Sequence, residues 1–278
     1  MFISKKLVFT ELHKTGCSHI GKILGALLEG IQKGKHNRPP ENILEGDYYF
    51  LGSVRNPWDW YVSLWSYGCG QAGSMYLATV VGNKTPRRFT GRGWKINPLA
   101  ASKSYVKDLF KDHERWQRCY AEQTPENFQE WLRVINDEEF WGDFGEDYDQ
   151  YPANQSIGLL TYRYLRLFCR SDFRNLKDFS EICQFAKDNC YIDYFIKNES
   201  LEADLAIALQ NCGLFTDELS LVEKLKSFGR TNTSPRKKDY LYYYDQNSIN
   251  LITQREKLII EKFNYQPPKI NVSHDKIN

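Results

Sequence analysis

Glu11-Leu12-His13-Lys14-Thr15-Gly16-Cys17-Ser18-His19-Ile20 joins two kinds of hydrophobic patterning. Ahead of it, residues 7–12 (Leu-Val-Phe-Thr-Glu-Leu) read as a short strand. Behind it, Ile20, Ile23, Leu24, Leu27, Leu28 and Ile31 recur at helical spacing. Lys14-Thr15-Gly16 is therefore the turn between a strand and a helix that starts near Ser18. In such a turn, successive backbone N–H groups and the positive end of the helix dipole converge on one spot. With a lysine and hydroxyls beside it, that spot is an anion cradle. A Walker A loop is excluded, because Gly-x-x-x-x-Gly-Lys-Ser/Thr is absent. Alone, the tripeptide is a weak signal.

The same grammar returns further on. Gly34 and Pro39-Pro40 close the first helix, and residues 47–54 form an apolar run fit for a buried strand. Asn56 and Pro57 then read as the N-cap and first position of a helix through Tyr67. Strand–turn–helix twice over predicts an α/β fold: a central, mostly parallel sheet flanked by helices. Arg55 ends the second strand and Ser63 sits two turns into its helix. The guanidinium fork suits a phosphate and the hydroxyl adds a donor. Their plainer roles are a helix-capping ion pair and a small packing residue.

Residues 68–125 break the pattern with glycines and basic residues (Arg87, Arg88, Arg92, Lys95) and read as a long insertion, partly helical after Ser102. A helix starts at Thr124-Pro125, and residues 137–149 read as an acidic loop. Asp147-Tyr148-Asp149 in that loop is too short a motif to carry a glycosyltransferase reading. Helices are expected at 159–168, 201–211 and 246–263, and a strand at 191–197. The tyrosines at 240 and 242–244 read as core. A single domain over 1–268 and a flexible tail over 269–278 complete the expectation.

Composition narrows the function. The 278 residues carry 37 basic and 35 acidic side chains, a net charge of +2 that does not favour bulk nucleic-acid or anionic-membrane binding. No stretch approaches a membrane span, and the first residues turn polar too soon for a signal peptide. Seven scattered cysteines without a Cys-x-x-Cys pair speak against a disulfide framework or a zinc site, and for a cytoplasmic protein. The Asn-x-Ser/Thr matches at Asn83, Asn154, Asn198, Asn232 and Asn271 are then coincidental. Aromatic residues make up 15%, which calls for a large core.

Lys14-Thr15-Gly16 resembles the 5′-phosphosulfate loop of sulfotransferases that use 3′-phosphoadenosine 5′-phosphosulfate (PAPS). Arg55-Asn56-Pro57 followed by Ser63 is similar to that family's 3′-phosphate motif. The segment from Ile192 to Asp204, with Lys197-x-Glu199-x-Leu201, resembles its Arg-x-Glu-x-Leu region, and Asn232-Thr233-Ser234 through Tyr265 its C-terminal part. The overall pattern is closest to bacterial and Golgi-type carbohydrate sulfotransferases.

The resemblance implies a P-loop-like sulfotransferase fold that binds PAPS through Lys14, Thr15, Gly16, Cys17, Ser18, His19, Arg55 and Ser63. A basic C-terminal run (Arg230, Arg236, Lys237, Lys238) would close over the nucleotide through Arg230 and Arg236. Lys14 would stabilise the leaving group as a sulfuryl group passes to a hydroxyl on a carbohydrate or small metabolite, releasing 3′,5′-ADP (PAP) without a metal. The proton-accepting base is expected to be His36, then Glu41, with Glu45 and His19 behind them.

His13 replaces the usual proline, Cys17 and His19 replace small or hydroxyl residues, and Lys197 stands for arginine, so the loop is expected to keep its backbone N–H donors with one side-chain contact to phosphate fewer. The competing readings are a P-loop-like kinase and a catalytically inactive nucleotide-binding scaffold.

Overall fold

The computed structural model describes residues 1–82, 110–215, 218–229, 236 and 238–270. Several expectations fall outside these residues: Arg87, Arg88, Arg92, Lys95, the helix onset after Ser102, Arg230, Asn232–Ser234, Lys237 and the tail beyond 270. The described helices and strands, in chain order, are β1 (Phe2–Ser4), β2 (Leu7–Phe9), α1 (Cys17–Leu27), β3 (Gly30–Gln32), α2 (Glu41–Leu44), β4 (Tyr49–Val54) and α3 (Pro57–Cys69). After a helical segment at 74–81 come α4 (His113–Cys119), α5 (Pro125–Asn136), α6 (Leu159–Phe168) and α7 (Phe179–Asn189). β5 (Tyr194–Lys197), α8 (Leu201–Asn211), α9 (Glu218–Ser227), α10 (Gln246–Arg255) and α11 (Lys257–Phe263) follow. No helix among the described residues is long and apolar enough to cross a membrane.

The chain forms two compact units, Met1–Trp60 with Pro152–Thr233 and Ile252–Gln266, and Tyr61–Tyr151 with Ser234–Leu251 and Pro267–Asn278. The first holds a five-stranded sheet in the order β3-β1-β2-β4-β5. β2, β4 and β5 run parallel, as the two strand–turn–helix units require. β1 pairs antiparallel with both β2 and β3, so the sheet is mixed and not mostly parallel.

Two features account for this correction. β1 folds back on β2 through a tight turn in which the Ser4 hydroxyl bonds the Leu7 backbone. The helix expected to run on to Ile31 ends at Leu27, and Ile31 enters edge strand β3 with 55% of its surface exposed. Gly30 permits the pairing, since a Cβ there would lie 2.4 Å from the Phe2 ring.

Alternation along the strands feeds both faces of the sheet. Leu7, Phe9, Leu51 and Ile196 pack with Ile20, Ile23 and Leu24 of α1 and with Leu205 and Leu209 of α8. Val8 and Phe50 turn to the other face, with Leu44 and Tyr191.

The helix expected over 246–263 is interrupted at Glu256, between α10 and α11. Its fully buried carboxylate accepts hydrogen bonds from the Leu160 and Thr161 N–H groups at 3.0 and 2.8 Å and from the Thr161 hydroxyl at 2.6 Å. An anion at the N-terminus of α6 meets the positive end of that helix. Glu256→Ala strands these donors away from water, so thermal or urea unfolding should show a loss of about 3 kcal/mol or more.

The second unit absorbs much of the aromatic surplus. Trp65, Phe128 and Tyr243 meet edge-on, with centroids 5.2 to 6.0 Å apart. Tyr243 and Tyr244 are core residues, as expected, while Tyr242 is exposed. The stretch expected as an acidic loop is a pair of 3-10 turns, Glu138–Asp143 and Tyr148–Gln150, that bury Phe140, Trp141 and Tyr148.

Candidate functional site

The turn after β2 is built as an anion cradle needs. Lys14 and Gly16 both take left-handed backbone, at φ 61° and 81°. Gly16 caps α1 without a side-chain bond, and its carbonyl accepts from the His19 and Ile20 N–H groups. The Cys17 and Ser18 N–H groups stand ahead of them in the first turn, where a helix offers no intrahelical acceptor, and the Ser18 N–H also reaches the Cys17 sulfur. Glycine is required at 16 on two counts, its positive φ and the approach of β5's exit. A Cβ would stand 2.8 Å from Asn198 Oδ1 and 2.8 Å from Leu201.

Thr15 is fully buried, donates to the Leu12 carbonyl at 2.8 Å and lies 2.6 Å from Ser53 Oγ. Its side chain braces the loop from beneath. Ser18 Oγ accepts from Lys35 Nζ at 3.1 Å, which brings a second lysine to the helix end. Burial and the Glu11 carboxylate raise the Cys17 thiol above its usual range, so it stays protonated. His19 is buried on α1.

Arg55 reaches the same loop. It donates to the Lys14 carbonyl at 3.0 Å and pairs with Asp59 at 2.7 and 2.8 Å. Among the described residues, three of the five guanidinium donors are thus engaged. The helix-side ion pair and a phosphate-facing role are compatible. Burial, then the Arg55 charge, lowers Lys14 from 10.5 to about 8. Two cations held together in a partly dry loop favour an anion between them.

Lys197, Glu199 and Tyr265 complete this side. Glu199 accepts from the Asn56 N–H at 2.6 Å and from the Tyr265 hydroxyl at 3.2 Å. Lys197 Nζ donates to the Phe263 carbonyl at 2.9 Å and lies 5.4 Å from the Tyr265 ring centroid.

His36 arrives from the other direction, in left-handed backbone at φ 55°. Its Nδ1 lies 3.0 Å from the Glu11 carbonyl oxygen. A carbonyl only accepts, so Nδ1 carries the proton and Nε2 keeps its lone pair. Its ring stacks on His13, with centroids 3.6 Å apart and an interplanar angle of 17°. Burial is the main cause that lowers His36 below 6.5, with Arg163 and Lys35 adding to it and the Glu11 carbonyl and carboxylate opposing.

Lys14, Thr15, Gly16, Cys17, Ser18, His19, Arg55 and His36 thus share one neighbourhood. Glu41 and Glu45 are exposed on and after α2, and the Glu41 side chain makes no hydrogen bond or ion pair among the described residues. Ser63 is buried on α3 and Arg236 is partly buried, both within the second unit.

Sequence reasoning did not assign His13, Asp59 or Arg163 to the site. Asp59 was signalled by its i,i+4 spacing from Arg55. Arg163 was signalled as a charge within apolar α6, where it is only 2% exposed. Among the described residues, no group of three or more His, Cys, Asp or Glu is placed to hold a metal ion.

The chain matches the model of the Sulfotransferase family over residues 1–266. It belongs to that family. The match spans every element that builds this sulfotransferase's cradle, from β1 to Tyr265. Searches of curated proteins and of solved structures return no match. Family membership gives the sulfotransferase its general reaction, transfer of a sulfuryl group from a donor to a hydroxyl acceptor.

Proposed function

We propose that this sulfotransferase takes its sulfuryl group from PAPS and passes it to a hydroxyl on a carbohydrate or small metabolite. The observation that carries the reading is the Lys14–Arg55 pair at the open end of α1. Two cations, one of them lowered to about 8 by burial and by the other, ask for a strongly anionic ligand. PAPS is one, with a phosphosulfate and a separate 3′-phosphate.

Sulfuryl transfer, like phosphoryl transfer, is mostly positioning and neutralisation of charge on the leaving phosphate. The Cys17 and Ser18 N–H groups hold the 5′-phosphate, and Lys14 meets the bridging oxygen as its charge develops. The Arg55 guanidinium takes the 3′-phosphate. His36 Nε2 accepts the acceptor hydroxyl's proton, because its tautomer is set by the Glu11 carbonyl and its lowered pKa leaves it neutral at pH 7.

Calorimetric binding of PAP, AMP and ATP to wild type and Arg55→Ala tests the donor. PAP should bind well ahead of AMP and ATP. Arg55→Ala should weaken PAP by about 10- to 100-fold, the worth of charged hydrogen bonds, and leave AMP nearly unchanged. ATP binding as tight as PAP would overturn the reading.

A further inference from the structure

His13 stands at the first position of the cradle, and nothing in the reaction above uses its side chain. Its surroundings are specific. The backbone carbonyl accepts from Trp60 Nε1 at 2.6 Å, which fixes the residue on α3's first turn. One face of its ring covers His36 at 3.6 Å, nearly parallel. Nδ1 is buried and has no hydrogen-bond partner among the described residues.

The charged groups that face the imidazole are Arg163 and Arg166 of α6 and His36 itself, all capable of positive charge. A protonated His13 would bury an N–H with no acceptor amid these cations. Burial and those charges accordingly hold its pKa well below 6.5. The ring is therefore an uncharged aromatic surface, tied through its own backbone to the donor loop.

We propose that His13 is a positioning residue, a neutral stacking platform that holds the His36 ring flat against the donor loop with Nδ1 on the Glu11 carbonyl. The proposal rests on the reading of His36 as the base. It adds a link between the two halves of the reaction: the residue that stacks on the base adjoins the lysine that meets the leaving group. His36 is faced by Arg163, Lys35, His13 and the Glu11 carboxylate. Of these, His13 stacks on the flat of the ring.

The test is nitrogen NMR of the full chain labelled with [15N]histidine, in which five residues give signals. His36 is assigned by its loss in His36→Ala. Wild type should show His36 protonated at Nδ1, with a titration midpoint below 6.5. His13→Phe keeps an uncharged aromatic face, so tautomer, midpoint and PAP affinity should all match wild type. His13→Ala removes the face, so His36 should become a mixture of tautomers whose midpoint moves up toward 6.5, as the ring gains water.

If His13→Ala does not fold, His13→Leu gives the same bulk without an aromatic face and should behave as the alanine variant is expected to. An unchanged His36 tautomer in His13→Ala or His13→Leu overturns the proposal, as does a changed one in His13→Phe. Failure of the base assignment shows separately. His36→Ala would then transfer sulfuryl groups at the wild-type rate while the wild-type tautomer signature stood, and the positioning role would fall with it.

Discussion

Lys14→Met should lower sulfuryl transfer by about 10²- to 10³-fold while leaving the unfolding transition in place, because in the proposed reaction it removes the cation that meets the leaving group. The effect on ligand binding has a distinctive pH dependence. Lys14 titrates at about 8 in the free protein, held down by burial and by Arg55. An anion in the loop favours the protonated lysine and raises that value. Well below pH 8 the proton is already in place, and Lys14 takes up none on binding.

Above pH 8 the free lysine is neutral, so PAP must bring a proton with it, and affinity should fall by up to about tenfold per pH unit. Calorimetry at pH 9 in buffers of different ionisation enthalpy reads this uptake directly. Lys14→Met should abolish the uptake, whereas Arg55→Ala should weaken binding below pH 8 and, by relieving Lys14 of its neighbour's charge, move the onset of uptake to higher pH. A wild-type protein that takes up no proton at pH 9 would show that Lys14 does not meet the anion.

The parts of this site legible in the sequence are those whose neighbours in space are also neighbours in the chain. The Lys14 turn and the strand end at Arg55 each carry their own hydrophobic period, so their strand–turn–helix settings were readable before any contact was known. Helices 159–168 and 201–211 likewise match the structure. β1 and β3 escaped because each has three residues, and both exist through pairing. Ile31 continued the periodicity of α1, and only the approach of Gly30 to Phe2 turns it into a strand.

Charges hid the aromatic core at 138–150, where Phe140, Trp141 and Tyr148 stand among acidic residues. The His13–His36 stack was illegible for a different reason. His13 stood out only as a departure from the loop pattern and His36 only as the expected base, and their stacking is a contact between distant segments.

In the proposed reaction His36 is the base, and its removal should be decisive. His36→Ala is expected to reduce transfer from radiolabelled PAPS, with acceptors chosen from a carbohydrate screen, by about 10²- to 10⁴-fold. Glu41→Ala should leave it unchanged, since that carboxylate is exposed and makes no bond to the loop among the described residues. The pH profile supplies the second criterion. A general base works only when unprotonated, and burial lowers His36 below 6.5.

The acid limb of activity should therefore have its midpoint below 6.5, and His36→Ala should abolish it. A midpoint above 6.5, or a limb that survives His36→Ala, assigns the limb to another group. If both His36→Ala and Glu41→Ala keep near wild-type turnover, the proton leaves by a route neither residue provides. The Lys14 and Arg55 results would then stand alone as evidence for a donor site without an assigned base.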